Sequence, residues 1–133
     1  MKRWSLILVI SALVLVLNLV LAFSTLVQAQ EYKVRIEIKA DNSHLEIKAY
    51  CRNDSSENSI LRHTLRVQKS GEAGKTFNFQ SSYVYLKSQE EKCVSQLGLG
   101  VSPKDKYEIK LEVYKKGELV AEDFVSYPRG LWI

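Results

Sequence analysis

The sequence predicts an all-β protein, an immunoglobulin-like antiparallel β-sandwich of about seven strands, placed after an N-terminal signal peptide. Three observations carry that prediction. Apolar and polar residues alternate with period two in one segment after another from Val34 onward. Turn residues interrupt these segments at roughly ten-residue intervals, the rhythm of a sandwich or a barrel. No long stretch of the same region carries a helical stripe.

The first 29 residues stand apart. Met1-Lys2-Arg3 is a cationic start, and Trp4 to Leu26 is apolar except for Ser5, Ser11, Asn18, Ser24 and Thr25. Val27-Gln28-Ala29 offers small or modest side chains where a signal peptidase reads, so residues 1–29 are expected to be cleaved before Gln30. The competing reading is a retained anchor, because Leu6 to Leu26 is just long enough to span a bilayer. No cysteine follows the apolar run, which argues against a lipoprotein anchor. Residues 30–133 then form one domain with one modest core. Without Lys2 and Arg3 the formal charge falls from +4 to +2. That is no nucleic-acid footprint, though it suits a mild preference for acidic partners.

The strands follow in order. Val34 to Lys39 alternates strictly, Asp41-Asn42-Ser43 turns, and Leu45 to Cys51 alternates again, which reads as a hairpin. Arg52 to Asn58 is a polar loop. Leu61, His63, Leu65 and Val67 share the inner face of the third strand, with Arg62, Thr64 and Arg66 outside. Ser70 to Gly74 turns the chain. Phe77, Phe79, Tyr83, Val84 and Tyr85 mark aromatic-rich strand structure with an expected break near Ser81-Ser82. Ser88 to Lys92 is a charged turn. Cys93, Ser95, Leu97 and Leu99 read as one side of the next strand, closed by Ser102-Pro103-Lys104-Asp105. Tyr107 to Tyr114 is the cleanest alternation, and Lys115-Lys116-Gly117 leads into Glu118 to Tyr127 as a second hairpin. The last alternation slips near Glu122-Asp123, which predicts a bulge there. Pro128 ends the strand.

Export would place Cys51 and Cys93 in an oxidising compartment. Cys51 ends the second strand and Cys93 begins the fifth. Those strands are antiparallel neighbours in an immunoglobulin-type sandwich, so the two thiols could meet as a disulfide. Two small, reduced residues are the alternative.

No catalytic arrangement is visible. The chain has no G-x-S-x-G, no glycine-rich phosphate loop and no H-E-x-x-H. Two cysteines and two histidines at irregular spacings make no metal signature. The expectation is a protein that is not an enzyme and takes no cofactor or metal. His63, between Leu61 and Leu65, reads as a buried, hydrogen-bonded core histidine. Asn53-Asp54-Ser55 matches a glycosylation acceptor, a triplet common by chance.

Arg62 and Arg66 face outward from the third strand, and Glu108, Lys110 and Glu112 from the sixth. These strands are neighbours in the sandwich, so cross-strand ion pairs are one reading. The other is a basic platform of Arg62, Arg66, Lys110, Lys115 and Lys116 that meets an unfolded polar client and weakens in salt.

Val67-Gln68-Lys69-Ser70-Gly71-Glu72-Ala73-Gly74 has the form V-x-K-S-G-x-x-G. Gln80-Ser81, Leu86, the acidic turn Glu90-Glu91 and Leu97-Gly98-Leu99-Gly100 follow in order. This series resembles the CsgH branch of the CsgC/CsgH family of curli assembly proteins, with Lys69, Ser70, Gly71 and Gly74 as the motif turn. The resemblance implies a periplasmic chaperone that binds a curli-type amyloid subunit and inhibits premature fibre assembly, without cofactor or catalysis. Ser82 departs from the glycine that the family favours, and Val84 from an aromatic. The Cys-x-Cys pair of the CsgC branch is absent, so no redox role carries over. The expected state is a monomer with no nucleic-acid partner and, after cleavage, no membrane contact. A structural or adhesive immunoglobulin-like module associated with fimbriae is the alternative function. The apolar tail Leu131-Trp132-Ile133 could be a plug, a contact or a frayed end.

Overall fold

The computed structural model describes residues 2–28 and 31–128. The expected cleavage site at Ala29-Gln30 and the tail Leu131-Trp132-Ile133 lie outside them. The chain divides into two compact units, one holding the N-terminal helix and one holding the strands.

The helix, α1 (Lys2–Gln28), has an apolar stretch, Arg3–Val20, long enough to cross a membrane by length and composition. A signal sequence near the N-terminus meets the same description. Two of its polar side chains, Ser11 and Asn18, turn back onto the helix. Ser11 Oγ donates to the Leu8 carbonyl at 2.9 Å, and Asn18 Nδ2 donates to the Val14 carbonyl at 2.9 Å. Such back-bonding hides polar groups that an apolar environment would otherwise leave unpaired.

Seven strands follow: β1 (Tyr32–Ala40), β2 (His44–Asn53), β3 (Ser59–Gly71), β4 (Gly74–Leu86), β5 (Glu91–Gly100), β6 (Lys106–Lys115) and β7 (Glu118–Tyr127). They form two antiparallel sheets, in the orders β1-β2-β5 and β4-β3-β6-β7. This is the immunoglobulin-like sandwich that the alternation predicts. β4 pairs with β3 rather than with β5, which makes the second sheet the wider one.

The two middle strands supply most of the core. Leu45, Ile47, Ala49 and Cys51 of β2 face Tyr107, Ile109, Leu111 and Val113 of β6, joined by Leu61, Leu65 and Val67 of β3. Every second residue is buried because successive side chains leave opposite faces of a strand. Each fully buried Leu or Ile contributes roughly 1.5–3 kcal/mol by leaving water. Among the described residues the core is built from positions 32–127, within the compact unit that holds the strands, as expected of a folding unit in its own right.

The turns have identifiable causes. Asp41 Oδ1 accepts from the Ser43 and His44 amides at 2.9 and 2.7 Å, which closes the β1–β2 turn and holds the carboxyl below its ordinary pKa. At the β3–β4 hairpin, Gly74 takes a φ of 111°, a conformation that favours glycine. Gly71 has a different constraint: a Cβ there would collide with the Asp105 carboxylate, which Lys69 Nζ grips at 3.2 Å. Asp105 accordingly pushes the Lys69 amine up.

Three local expectations are corrected. β4 runs unbroken through Ser81-Ser82, because both residues stay in register with Thr64 and His63 of β3. The irregularity in β7 lies at Val120 rather than at Glu122-Asp123, since Val113 pairs with Ala121 and Tyr114 with Leu119. Asp123 faces inward instead, and its Oδ2 accepts from the Ile36 amide of β1 at 3.0 Å. The polar residue that disturbs the alternation thus ties β7 to the edge of β1.

The third correction concerns the cysteines. Ala49 pairs with Ser95 but Tyr50 pairs with Cys93, so Val94 is an extra residue in a bulge. Val94 packs on the core and Cys93 turns out to solvent, while Cys51 stays buried opposite Lys92. The strand ends do meet, but the thiols point to opposite faces and both are free. Burial pushes the Cys51 thiol up to about 12, with the Glu91 charge adding to the shift, so it stays protonated and unreactive at neutral pH.

Candidate functional site

The outer face of the β4-β3-β6-β7 sheet is where this domain departs from an ordinary solvated surface. The pairing register lays its side chains in rows across the four strands. Phe79, Arg66, Lys110 and Phe124 form one row; Ser81, Thr64, Glu112 and Glu122 the next; Tyr83, Arg62, Tyr114 and Leu119 a third. Phe77 and Tyr85 extend the aromatic column along β4, and Ile60 adds an aliphatic side chain beside it. Phe77 is 74% exposed, Phe79 61%, Tyr83 72% and Phe124 57%. Clustered exposed aromatics of this kind mark interaction surfaces.

The cations are set among these rings. The Arg66 guanidinium lies 5.5 Å from the Phe79 ring centre, and that of Arg62 lies 4.8 Å from Tyr114. Such stacking holds a charge over apolar surface while leaving part of it available. Arg66 and Lys110 stand directly opposite each other, an unfavourable pair by itself. Glu112 relieves it, with Oε1 3.9 Å from Arg66 Nε, and Glu122 lies 4.0 Å from Lys110 Nζ. Glu112 also accepts the Tyr114 phenol at 2.5 Å, which raises that phenol's pKa. Thr64 and Glu112 are buried although they point outward, because the long side chains around them close over the middle of the sheet. Cross-strand pairing and a basic, aromatic surface therefore coexist on one face.

Of the five cations expected to form a platform, four belong to it. Arg62, Arg66 and Lys110 lie in the rows above. Lys116, at a φ of 50° in the β6–β7 turn, joins Arg62, Tyr83 and Tyr114 around a shallow depression of about 250 Å³. Lys115 does not belong. Alternation sends it to the opposite side from Tyr114, where its Nζ lies 5.5 Å from the ring of the buried Tyr32.

The aromatics are the part that sequence reasoning left unassigned. The signal was present in the hairpin. Glu72-Ala73 is a two-residue loop with Gly71 opposite Gly74, and counting back from it sets Phe79 beside Arg66 and Tyr83 beside Arg62. Lys69, Ser70, Gly71 and Gly74 lie at this hairpin end, where Lys69 and Gly71 embrace Asp105. Their geometry is that of a structural turn.

His63 sits beneath the face, 5% exposed, between Ser82 and Val113. Its Nδ1 has no partner among the described residues. Burial lowers its pKa, so the folded state binds a proton less readily than the unfolded chain. Stability should therefore fall as pH drops through about 6.5, the unfolded value, and go on falling toward the lower folded one. Replacing His63 with leucine is expected to raise stability and flatten this dependence between pH 7 and 5. Urea melts across that range test it; an unchanged slope in the variant would reject the assignment.

Among the described residues, no three His, Cys, Asp or Glu side chains gather as a metal site needs. Fold and face together define an immunoglobulin-like sandwich whose wider sheet presents an aromatic, cation-bearing outer surface.

Comparison with solved structures narrows that class to the fold of two curli proteins. The E. coli curli protein CsgC matches with a TM-score of 0.58 at 14% identity, over 73% of this chain and 98% of that one. CsgH of R. palustris, solved in solution, matches with a TM-score of 0.56 at 16% identity, over 71% of this chain and 90% of that one. At such identities the likeness is one of fold. No family model and no curated protein matches the chain.

Proposed function

We propose that this protein is a periplasmic chaperone that binds a curli-type amyloid subunit and inhibits its premature fibre assembly. The outer face of β4-β3-β6-β7 is the surface that does so. The observation that carries the reading is that face: exposed aromatics interleaved with Arg62, Arg66, Lys110 and Lys116 on a fold shared with two curli proteins.

The physical logic is capture without templating. An unfolded amyloid subunit exposes polar backbone and scattered aromatic or charged side chains. Rings and guanidinium groups can hold such a chain by stacking and charge, both of which reverse quickly. The apolar helix α1 supports export, and the motif turn at Lys69 to Gly74 supports kinship with the CsgH branch. The domain acts as a monomer, needs no cofactor and performs no catalysis.

The test is a fibrillation assay of a purified curli subunit with and without residues 31–133. A substoichiometric amount of domain is expected to lengthen the lag phase, and the effect should weaken as salt is raised. An unchanged lag at equimolar domain would end the proposal and leave a structural or adhesive role as the better reading.

A further inference from the structure

The sandwich guards its sheet edges unequally. On one side Asp123 of β7 takes the Ile36 amide of β1, so those two edges are tied together. On the other side Ser95 Oγ of β5 donates to Gln80 Oε1 of β4 at 2.5 Å, a bond between side chains that leaves the main chain of β4 open along most of its 13 residues. The narrow, doubly hydrogen-bonded pair at Gly71–Gly74 recurs at every second position along the hairpin. The amides and carbonyls of Phe77, Phe79, Ser81 and Tyr83 therefore point away from β3, toward the free edge. Among the described residues one group of this row is engaged, the Tyr85 carbonyl, which accepts from Lys92 Nζ at 3.0 Å. β4 contains no proline and no bulge, so two of the common ways of blunting an edge are missing.

Charge on the two strands at this edge is predominantly basic. From Ser59 to Gln89 the sole acid is Glu72, at the hairpin tip and 3.1 Å from Lys104, against Arg62, Arg66, Lys69, Lys75 and Lys87. The acids that balance the face, Glu108, Glu112 and Glu122, all sit on the two far strands. Arg66 leans over Phe79, across β4 and toward the open side. Among the described residues neither Arg62 nor Lys75 has a carboxylate partner.

We propose that the free edge of β4 docks one extended acidic polypeptide strand, which adds to the sheet by main-chain hydrogen bonds to Phe77, Phe79, Ser81 and Tyr83. Strand addition sets the guest about 4.8 Å from β4, with every second side chain on the outer face. Carboxylates there come within reach of Arg66 and Lys75, while their methylene stems lie against the rings of Phe79 and Tyr83. A basic guest meets like charge and is rejected. The inference rests on the chaperone reading for its biological guest, because a curli-type subunit would supply the strand; the chemistry of the edge does not depend on it.

The probes are two synthetic 12-residue peptides, one alternating threonine with glutamate and one alternating threonine with lysine, added to isotope-labelled residues 31–133. The glutamate peptide is expected to bind saturably and to slow amide exchange of Phe77, Phe79, Ser81 and Tyr83 by at least about tenfold; the lysine peptide should do neither. Ser81→Pro removes an edge donor at a position that does not bond β3, and it should weaken binding by at least about tenfold. If that variant does not fold, the wild-type exchange pattern decides alone. Protection absent, or located elsewhere, overturns the proposal. So does protection of the same amides without peptide through self-association, which would assign the edge to a second copy. A fibrillation assay separates the two readings: slowed fibres without β4 protection sink the edge alone, and β4 protection without slowed fibres sinks the chaperone alone.

Discussion

Replacing Asn53 with alanine is expected to lower the stability of the sandwich by about 3 kcal/mol, which for a domain of this size is roughly 15 °C in Tm. Asn53 ends β2 with no exposed surface. Its Nδ2 donates to the Glu57 and Leu86 carbonyls at 2.8 and 3.2 Å. Its Oδ1 accepts from the Ser55 amide at 3.0 Å and from Ser55 Oγ at 2.6 Å. The main chain adds a bond from the Asn53 amide to Glu90 and one from the Gln89 amide to Asn53, at 2.9 and 2.6 Å. One side chain thus joins the loop after β2 to the end of β4, with both donors and both acceptors in use. Alanine strands several of these groups in a buried place, and each costs about 1–3 kcal/mol to leave unpaired. Asn53→Asp should be no milder, because it aims a carboxylate at two carbonyls. Urea denaturation of both variants measures this, and a loss below about 1 kcal/mol for alanine would show that the network repairs itself with water. The same geometry disposes of the glycosylation triplet: the amide that would accept a glycan is buried and committed.

What the sequence made legible follows from how far each signal reaches. Strict alternation in Leu45 to Cys51 and in Tyr107 to Val113 revealed the two central strands and their inward faces, because burial on one face leaves a period-two trace. The hairpins at Asp41 and at Lys116-Gly117 were equally plain, since their turn residues are local. A bulge defeats that logic. One extra residue, Val94, moved Cys93 from the side of Leu97 and Leu99 to the opposite face, so of the two readings open for the cysteines it is the reduced pair that the geometry matches. Nothing local to Cys93 announces it, because the insertion is defined against the partner strand. In β7 the polar Asp123 drew attention to the wrong position for a similar reason: its inward placement is explained by Ile36, a residue 87 positions away. The cations of the platform were readable as outward residues. The aromatics beside them have no readable face in the sequence, because Ser81-Ser82 predicts a break in β4, and a broken strand has no single register.

Reversing Arg62, Arg66 and Lys110 to glutamate together is expected to raise the concentration of domain needed to halve fibre formation by at least about tenfold. The three residues sit on adjacent middle strands of one face, so their fields overlap within the roughly 10 Å that screening allows at 0.1 M salt. Reversal also places new carboxylates near Glu112 and Glu122, which these cations now offset. Some stability is lost as a result, and the comparison has to be made where both proteins are fully folded. A matched control reverses Lys33, Lys39 and Lys48 on the outer face of the other sheet. There the same charge change touches pairs with Asp54, Glu37 and Glu46 and leaves the aromatic face alone. The control should inhibit like the parent, and so should Lys115→Glu, since Lys115 points to the other side of β6. Raising salt toward 1 M shortens screening to about 3 Å and should bring the parent toward the reversed variant while leaving that variant little changed. Equal inhibition by a folded triple variant and its parent would remove charge from the mechanism and leave the column of Phe77, Phe79, Tyr83 and Tyr85 to act by contact alone. A charge effect shared equally by the control would mean that net charge, and not this face, governs the encounter.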